Sequence, residues 1–215
     1  MEQAADSSHT IICGDPARSN DRFAFTGVNL IHRIRFGRHF WRINVRFARQ
    51  YMRTPFADVA RDMEPLINHV QPHYFGMETN NEGREAINAF RSRGFSPQEI
   101  TTVGRLSEEN RQRRMDRMDK GHTVRWFVRC AKAPPTKKPA FVYFPNKPSD
   151  HMKVLQEQIQ MIQVYITPNG SITYKAMANR HNDLFMSFLM CCHVARVHIE
   201  MTAPSSQESW EQLLR

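Results

Sequence analysis

The chain reads as an α/β protein built on a mixed sheet, and three stretches predict this. Residues 72–90, PHYFGMETNNEGREAINAF, are strand, turn and helix in one short run. Before them stand three extended segments joined by close turns, the pattern of an antiparallel meander. Near the other end, residues 181–199 are apolar around most of a helical circumference, as a buried helix requires. A strand–turn–helix unit beside a meander needs both parallel and antiparallel pairing in one sheet.

In chain order, residues 9–14, HTIICG, form a compact β-branched run that ends at Asp15 and Pro16. Asp15 stands at a strand end; an acid before proline also opens turns. Residues 17–21 make a polar turn, and residues 23–34 and 40–47 are the second and third strands. Arg33, Arg35, Arg38, Arg42, Arg46, Arg49 and Arg53 are spread over these segments. They form either a phosphate-facing surface or a solvated face guarding an edge.

Thr54 and Pro55 are the expected N-cap and first turn of a helix whose apolar positions run from Phe56 to Val70, with Pro65 expected to kink or split it. Tyr74, Phe75 and Met77 then form a strand with Glu78 at its carboxyl end, the end where ligands bind in open α/β sheets. Gly83 sits in a tight turn, and a helix follows up to residues 92–94. Residues 100–103 are a fifth strand. Residues 107–120, SEENRQRRMDRMDK, read as a charged helix, either solvated or touching nucleic acid. Residues 124–128 fit helix or strand, and residues 133–139 read as a loop. Ser149 caps a helix expected to run through residue 164, and Pro168, Asn169 and Gly170 turn a hairpin. Asn179 is placed to cap the final helix, with Asp183 in its first turn.

At 215 residues the chain is long enough for one domain, expected over residues 1–203, with residues 204–215 as a tail. The net charge of +9 favours a polyanionic partner. The first seven residues are acidic and polar, so no secretory signal is expected there, and no apolar run is expected to span a bilayer. Cys13, Cys130, Cys191 and Cys192 form no C-x-x-C pair and read as reduced core thiols. No phosphate-binding glycine loop and no H-E-x-x-H is present.

Strand with Asp15, two strands, helix, strand with Glu78, helix, strand and a closing helix with Asp183 is the element order of the RNase H-like fold. That fold has a five-stranded mixed sheet flanked by helices, and its order makes Asp15 and Glu78 neighbours with Asp183 opposite. Three carboxylates in so small a space need a counter-charge. Mg²⁺ or Mn²⁺ would supply it, and two ions roughly 3.5–4 Å apart can cleave a phosphodiester.

Three motifs also resemble a family. GDPARSNDRFAFTGV resembles the first nuclease motif of viral terminase large subunits, of tailed-phage and herpesvirus type. HYFGMETNNEGREAINAFR resembles their second motif, and VYITPNGSITYKAMANRHNDLFMSFLMC their third. The resemblance covers most of residues 9–199. It implies an endonuclease that cuts concatemeric viral DNA during packaging, with Asp15, Glu78 and Asp183 as catalytic metal ligands for two Mg²⁺ or Mn²⁺ ions. His181, Asn182, Asn80 and Asp21 would support them. Arg18, Arg42, Arg46, Arg111, Arg113, Arg114 and Arg117 would contact double-stranded DNA. A packaging ATPase, separate or excised, a portal and a small terminase subunit would be the partners, with no membrane involved. The place of action would be inside the infected host, in cytoplasm or nucleus. The family's His-Asp-Asp is His181, Asn182 and Asp183 here, so one acid is missing, and no ATPase motif is present. Two other readings are a junction-resolvase or transposase-type nuclease, and a catalytically weakened DNA-binding module.

Overall fold

The computed structural model describes residues 7–16, 22–35, 38–80, 82–104, 114–132, 140–166, 172–176 and 182–202. Strands β1 (Ser7–Asp15), β2 (Arg22–Arg35) and β3 (Arg38–Met52) form the expected antiparallel meander. Helix α1 (Phe56–Val70) leads to β4 (Tyr74–Glu78), which returns parallel to β1. Helix α2 (Gly83–Arg91) leads to β5 (Gln98–Val103), parallel to β4. Beyond the five expected strands lie two short edge strands, β6 (Arg117–Asp119) and β7 (Phe141–Tyr143). The sheet is therefore seven-stranded, in the order β6-β5-β4-β1-β2-β3-β7. Helices α3 (Lys120–Lys132), α4 (Asp150–Gln160) and α5 (Asp183–Thr202), and the hairpin β8 (Ile162–Ile166) and β9 (Ile172–Ala176), complete the described elements.

The sheet separates two cores. One face packs α1 and α2 over Ile12, Phe23, Phe25, Phe75 and Met77. The other packs α5 over Ile11, Cys13, Val28, Leu30 and Ile43. Helix α5 is buried almost all round because the sheet lies beneath it while α3 and α4 flank it. Phe185, Phe188, Leu189 and both of its cysteines are fully covered. Each large apolar side chain so buried contributes roughly 1.5–3 kcal/mol. The four cysteines are free thiols in the core, as expected.

Several local expectations change. Residues 183–202 are long and apolar enough to cross a bilayer, contrary to the reading above, but 83% of their apolar window is buried inside the fold. Helix α1 runs continuously through Pro65, which lies on the exposed side, where water can satisfy the carbonyl left without an N–H. Thr54 does not cap it: its hydroxyl donates to the Met52 carbonyl, and Pro55 is the N-cap. Gly83 begins α2 rather than sitting in the turn before it. Helix α4 ends at Gln160, four residues early, because residues 162–166 pair with β9; its Ser149 cap accepts from the Met152 N–H at 3.3 Å. Residues 117–119 are strand instead of helix, held by pairing of Thr101, Thr102 and Val103 with Arg117, Met118 and Asp119. Residues 124–128 are helical. The turns at 17–21 and 167–171, Gly37, Asn179, residues 105–113, the 133–139 stretch and the tail lie outside the described residues.

Candidate active site

The parallel pairing of Gly14 with Met77 carries the chain ends of β1 and β4 forward together, so Asp15 and Glu78 emerge side by side. They are close enough for one carboxyl to hydrogen-bond the other. Asp183 opens α5, which packs on the face of the sheet that Ile11 and Cys13 share with Asp15, and acts on Asp15 through its charge. Asp15 and Asp183 are buried, and Glu78 is half-buried. Burial pushes the Asp15 carboxyl well above the ordinary carboxylate range, and Glu78 and Asp183 push it further.

A cation that the sequence did not reveal stands among these acids. Lys120 lies immediately beyond β6, at the same end of the sheet as Asp15 and Glu78. Burial lowers its ammonium pKa, and the charges of Asp15 and Glu78 partly restore it. Asp119 pins it: its Oδ1 accepts the His122 N–H at 2.8 Å, and its carbonyl accepts the Thr123 hydroxyl at 2.9 Å. A lysine in the first turn of a helix opposes the helix dipole. That mismatch at the start of α3 is the signal the sequence offered, hidden while residues 107–120 were read as one helix.

Each acid is held by neighbours. Asn80 Nδ2 donates to Glu78 Oε1 at 3.0 Å and to the Thr102 carbonyl at 3.0 Å, tying the acid to β5. A side chain at position 83 would place its Cβ 2.0 Å from the Glu78 carbonyl oxygen, so only glycine lets α2 start so close to the acid. At the start of α5, Gln158 Oε1 of α4 accepts the Phe185 N–H at 2.9 Å, satisfying one orphan donor of the helix. Thr26 of β2 binds the Ser187 hydroxyl at 2.8 Å, and the Cys191 thiol donates to the Thr26 carbonyl at 3.2 Å. Asn182 is the N-cap of α5, its carbonyl accepting the Met186 N–H at 2.8 Å.

Other expected site residues scatter. Arg42 and Arg46 are exposed on β3, towards one edge of the sheet, and Arg114 and Arg117 are exposed at the opposite edge. Arg114 is paired with Asp116 at 2.9 Å. Arg18, Asp21, Arg111, Arg113 and His181 lie outside the described residues. Among the described residues, no three His, Cys, Asp or Glu side chains stand in a ready-made metal-ligand set. Asp15 and Glu78 lean on each other, with Asp183 contributing charge. The donor set still suits a hard divalent cation: carboxylate oxygens, held in place, with a proton favoured where a cation would sit.

No protein-family model matches the chain, and no curated protein sequence matches it. Solved structures do match. The nuclease domain of the large terminase subunit gp2 of bacterial virus Sf6 aligns at TM-score 0.59 and 10% identity, over 86% of this chain and 88% of that one. The large terminase nuclease of thermophilic phage G20c with bound magnesium aligns at 0.57 and 14% identity, over 86% and 80%. The nuclease domain of the Thermus phage P74-26 large terminase aligns at 0.54 and 13%, over 85% and 77%. The G20c nuclease is also solved with cobalt, and a variant of the Sf6 domain with manganese and with calcium. At these identities the likeness is one of fold: this chain has the RNase H-like fold of large-terminase nuclease domains.

Proposed function

We propose that the chain is a metal-dependent DNA endonuclease, the nuclease part of a viral packaging terminase, which cuts concatemeric DNA. The observation that carries this reading is the contact between Asp15 and Glu78, acids from adjacent parallel strands, with Asp183 charging the same place. A fold that presses acids together against their repulsion is arranged for a cation. The metal-bound phage nucleases of the same fold support a divalent ion.

Asp15, Glu78 and Asp183 are the residues that would hold two Mg²⁺ or Mn²⁺ ions. Bound there, the ions would lower the pKa of a water and stabilise charge on the phosphodiester. Asn80 fixes the Glu78 carboxylate. Lys120 stands close enough to Asp15 and Glu78 to meet a phosphate bound at the carboxyl ends of the strands. Double-stranded DNA is the substrate, and a packaging ATPase, a portal and a small terminase subunit are the partners, within the infected cell.

The test is nicking of supercoiled plasmid with Mg²⁺, with Mn²⁺ and with chelator. Cleavage with either ion and none in chelator is expected. The third motif supplies a sharper version. Asp183 is the first residue of α5 and Asn182 its N-cap, so the reading gives the ligand role to Asp183 and a supporting one to Asn182. Asp183→Asn should lose activity that extra Mn²⁺ recovers poorly, while Asn182→Asp keeps or raises it. The opposite result would replace this reading with that of a weakened DNA-binding module.

A further inference from the structure

Helices α1 and α2 cover only half of their face of the sheet. Their core takes Ile12, Phe23, Phe25, Phe75 and Met77, with Phe47 at its margin. Beyond the β-bulge at Gly27 and Val28, the same face continues along the β2–β3 hairpin. There the pairs are Asn29 with Asn44, Ile31 with Arg42 and Arg33 with Phe40. On β7, Phe141 and Tyr143 stand beside Arg42 and Asn44. None of these ten positions, counting Ser8 and Thr10 of β1, is buried.

Two features single out this half-face. First, large aromatics are presented to solvent: Phe40 is 42% exposed and Tyr143 44%. The Arg42 guanidinium lies over the Tyr143 ring at 4.0 Å and is steadied by a hydrogen bond from its Nε to Asn44 Oδ1. This makes a flat, two-layer cationic stack. Second, the charge has one sign. β2, β3 and β7 contain no acidic residue. Among the described residues no carboxylate pairs with Arg42, or with Arg46 on the same strand. A surface of one sign draws in a polyanion.

We propose that this half-face is a second nucleic-acid contact, which takes an unpaired DNA strand. Bases stack on Phe40 and on the Arg42–Tyr143 pair, and Arg42 and Arg46 neutralise phosphates. Aromatic rings and guanidinium planes flanked by cations are the chemistry that holds single strands without reading their sequence. Ile31 lies seven residues along β2 from Ala24, the partner of Asp15. At about 3.4 Å per residue, the platform is therefore roughly 24 Å from the acids. It would hold a frayed or displaced strand away from the cutting site. The inference rests on the reading of the protein as one that acts on DNA, but not on its cleaving DNA.

The test is fluorescence anisotropy with a labelled 20-nucleotide oligothymidylate and a hairpin duplex, both in chelator so that cleavage plays no part. Phe40→Ala and Tyr143→Ala should each weaken oligothymidylate binding by roughly 5- to 150-fold, the range for loss of one stacking partner, and weaken duplex binding far less. Phe40→Tyr and Tyr143→Phe, which keep the ring, should bind as the parent does; this separates stacking from a folding defect. Equal losses on both DNAs would overturn the proposal in favour of a plain electrostatic surface. Unchanged DNA binding with an altered oligomeric state by light scattering would overturn it in favour of a protein interface. Plasmid nicking without platform binding would leave the nuclease standing and sink this inference alone.

Discussion

The two ends of the sheet solve opposite electrostatic problems. At the carboxyl ends of β1 and β4, Asp15 and Glu78 touch, Asp183 adds its charge, and half-buried Lys120 is the cation near them. At the other end of the same elements, His9, His32, His39, His73 and His198 gather around Trp41. His9 lies 4.3 Å from His198 and 5.1 Å from His73, ring centre to ring centre. His32 stacks on Trp41 at 4.0 Å and hydrogen-bonds His39 at 2.9 Å. Helix α5 reaches both ends, Asp183 at its start and His198 near its finish. The histidine end packs well while His9 and His198 are neutral. The acid end is held together against repulsion, as sites arranged for function are. Protons, and by our proposal metal ions, should therefore act on the two ends with opposite sign.

The largest effect should come from relieving the acid end. Asp15→Asn or Glu78→Gln should lower metal-dependent nicking by roughly 100- to 1,000-fold, the range for losing one charge-stabilising group. In chelator near pH 7.5 the Asp15→Asn chain should melt no lower than the parent, and higher if repulsion dominates. The folded pKa of Asp15 is raised, so the stability tied to its proton is present at low pH and lost as pH rises through the folded value. A clear drop in melting temperature on this substitution would show that Asp15 is a structural acid.

Next comes Gly83→Ala, which leaves every acid in place but drives a Cβ into the Glu78 carbonyl. Overpacking of this kind costs about 1–3 kcal/mol. For a chain of this size that lowers the melting temperature by about 2–4 °C per kcal/mol. A shift of Glu78 by about 1 Å should cut nicking about 100-fold. Nicking that falls no more than stability does would show that the α2–Glu78 contact serves packing alone.

The smallest effect belongs to the histidine end. Burial, then neighbouring histidines, lowers the pKa values of His9 and His198 below the usual 6.5. The unfolded chain therefore binds protons first. The stability these rings provide is present above pH 6.5 and lost as pH falls through their folded values. Both rings are partly open to solvent, so screening keeps the loss below about 1 kcal/mol. Urea melts of the Asp15→Asn chain between pH 7.5 and 5.5 would read these rings together with buried His193 of α5, whose folded pKa is lowered to about 3. A His9→Gln, His198→Gln double variant should make the curve shallower by the share of these two rings, and an unchanged slope would remove them from the account.

Much of this contrast was legible wherever the signal was local. A strand running into Asp15 and Pro16, Asn80 after Glu78, and the Ser149 cap each state their role within a few residues. Lys120 was hidden because its neighbours, rich in Glu, Arg and Met, favour helix, whereas pairing with β5 draws residues 117–119 into strand. Pro65 misled because it sits on the one side of α1 where a lost hydrogen bond is cheap. The histidine end could not be read at all. Its five rings come from β1, β2, β3, the residue before β4, and α5, and no spacing along the chain joins them.

The placement of Asp183 on the last helix also sets a clock. Chains are made at roughly 5–20 residues per second and fold in the order they emerge. The meander, with Asp15 at the end of its first strand, is made early; the floor that α5 covers, Cys13 and Thr26 included, is made long before α5 itself. Roughly ten to thirty seconds of synthesis separate the first acid from the third at those rates. During that time the growing chain carries two of the three acids and none of the helix that closes over them. By our proposal, a nascent polypeptide so ordered acquires its capacity to cut only once the third acid and its helix have been made.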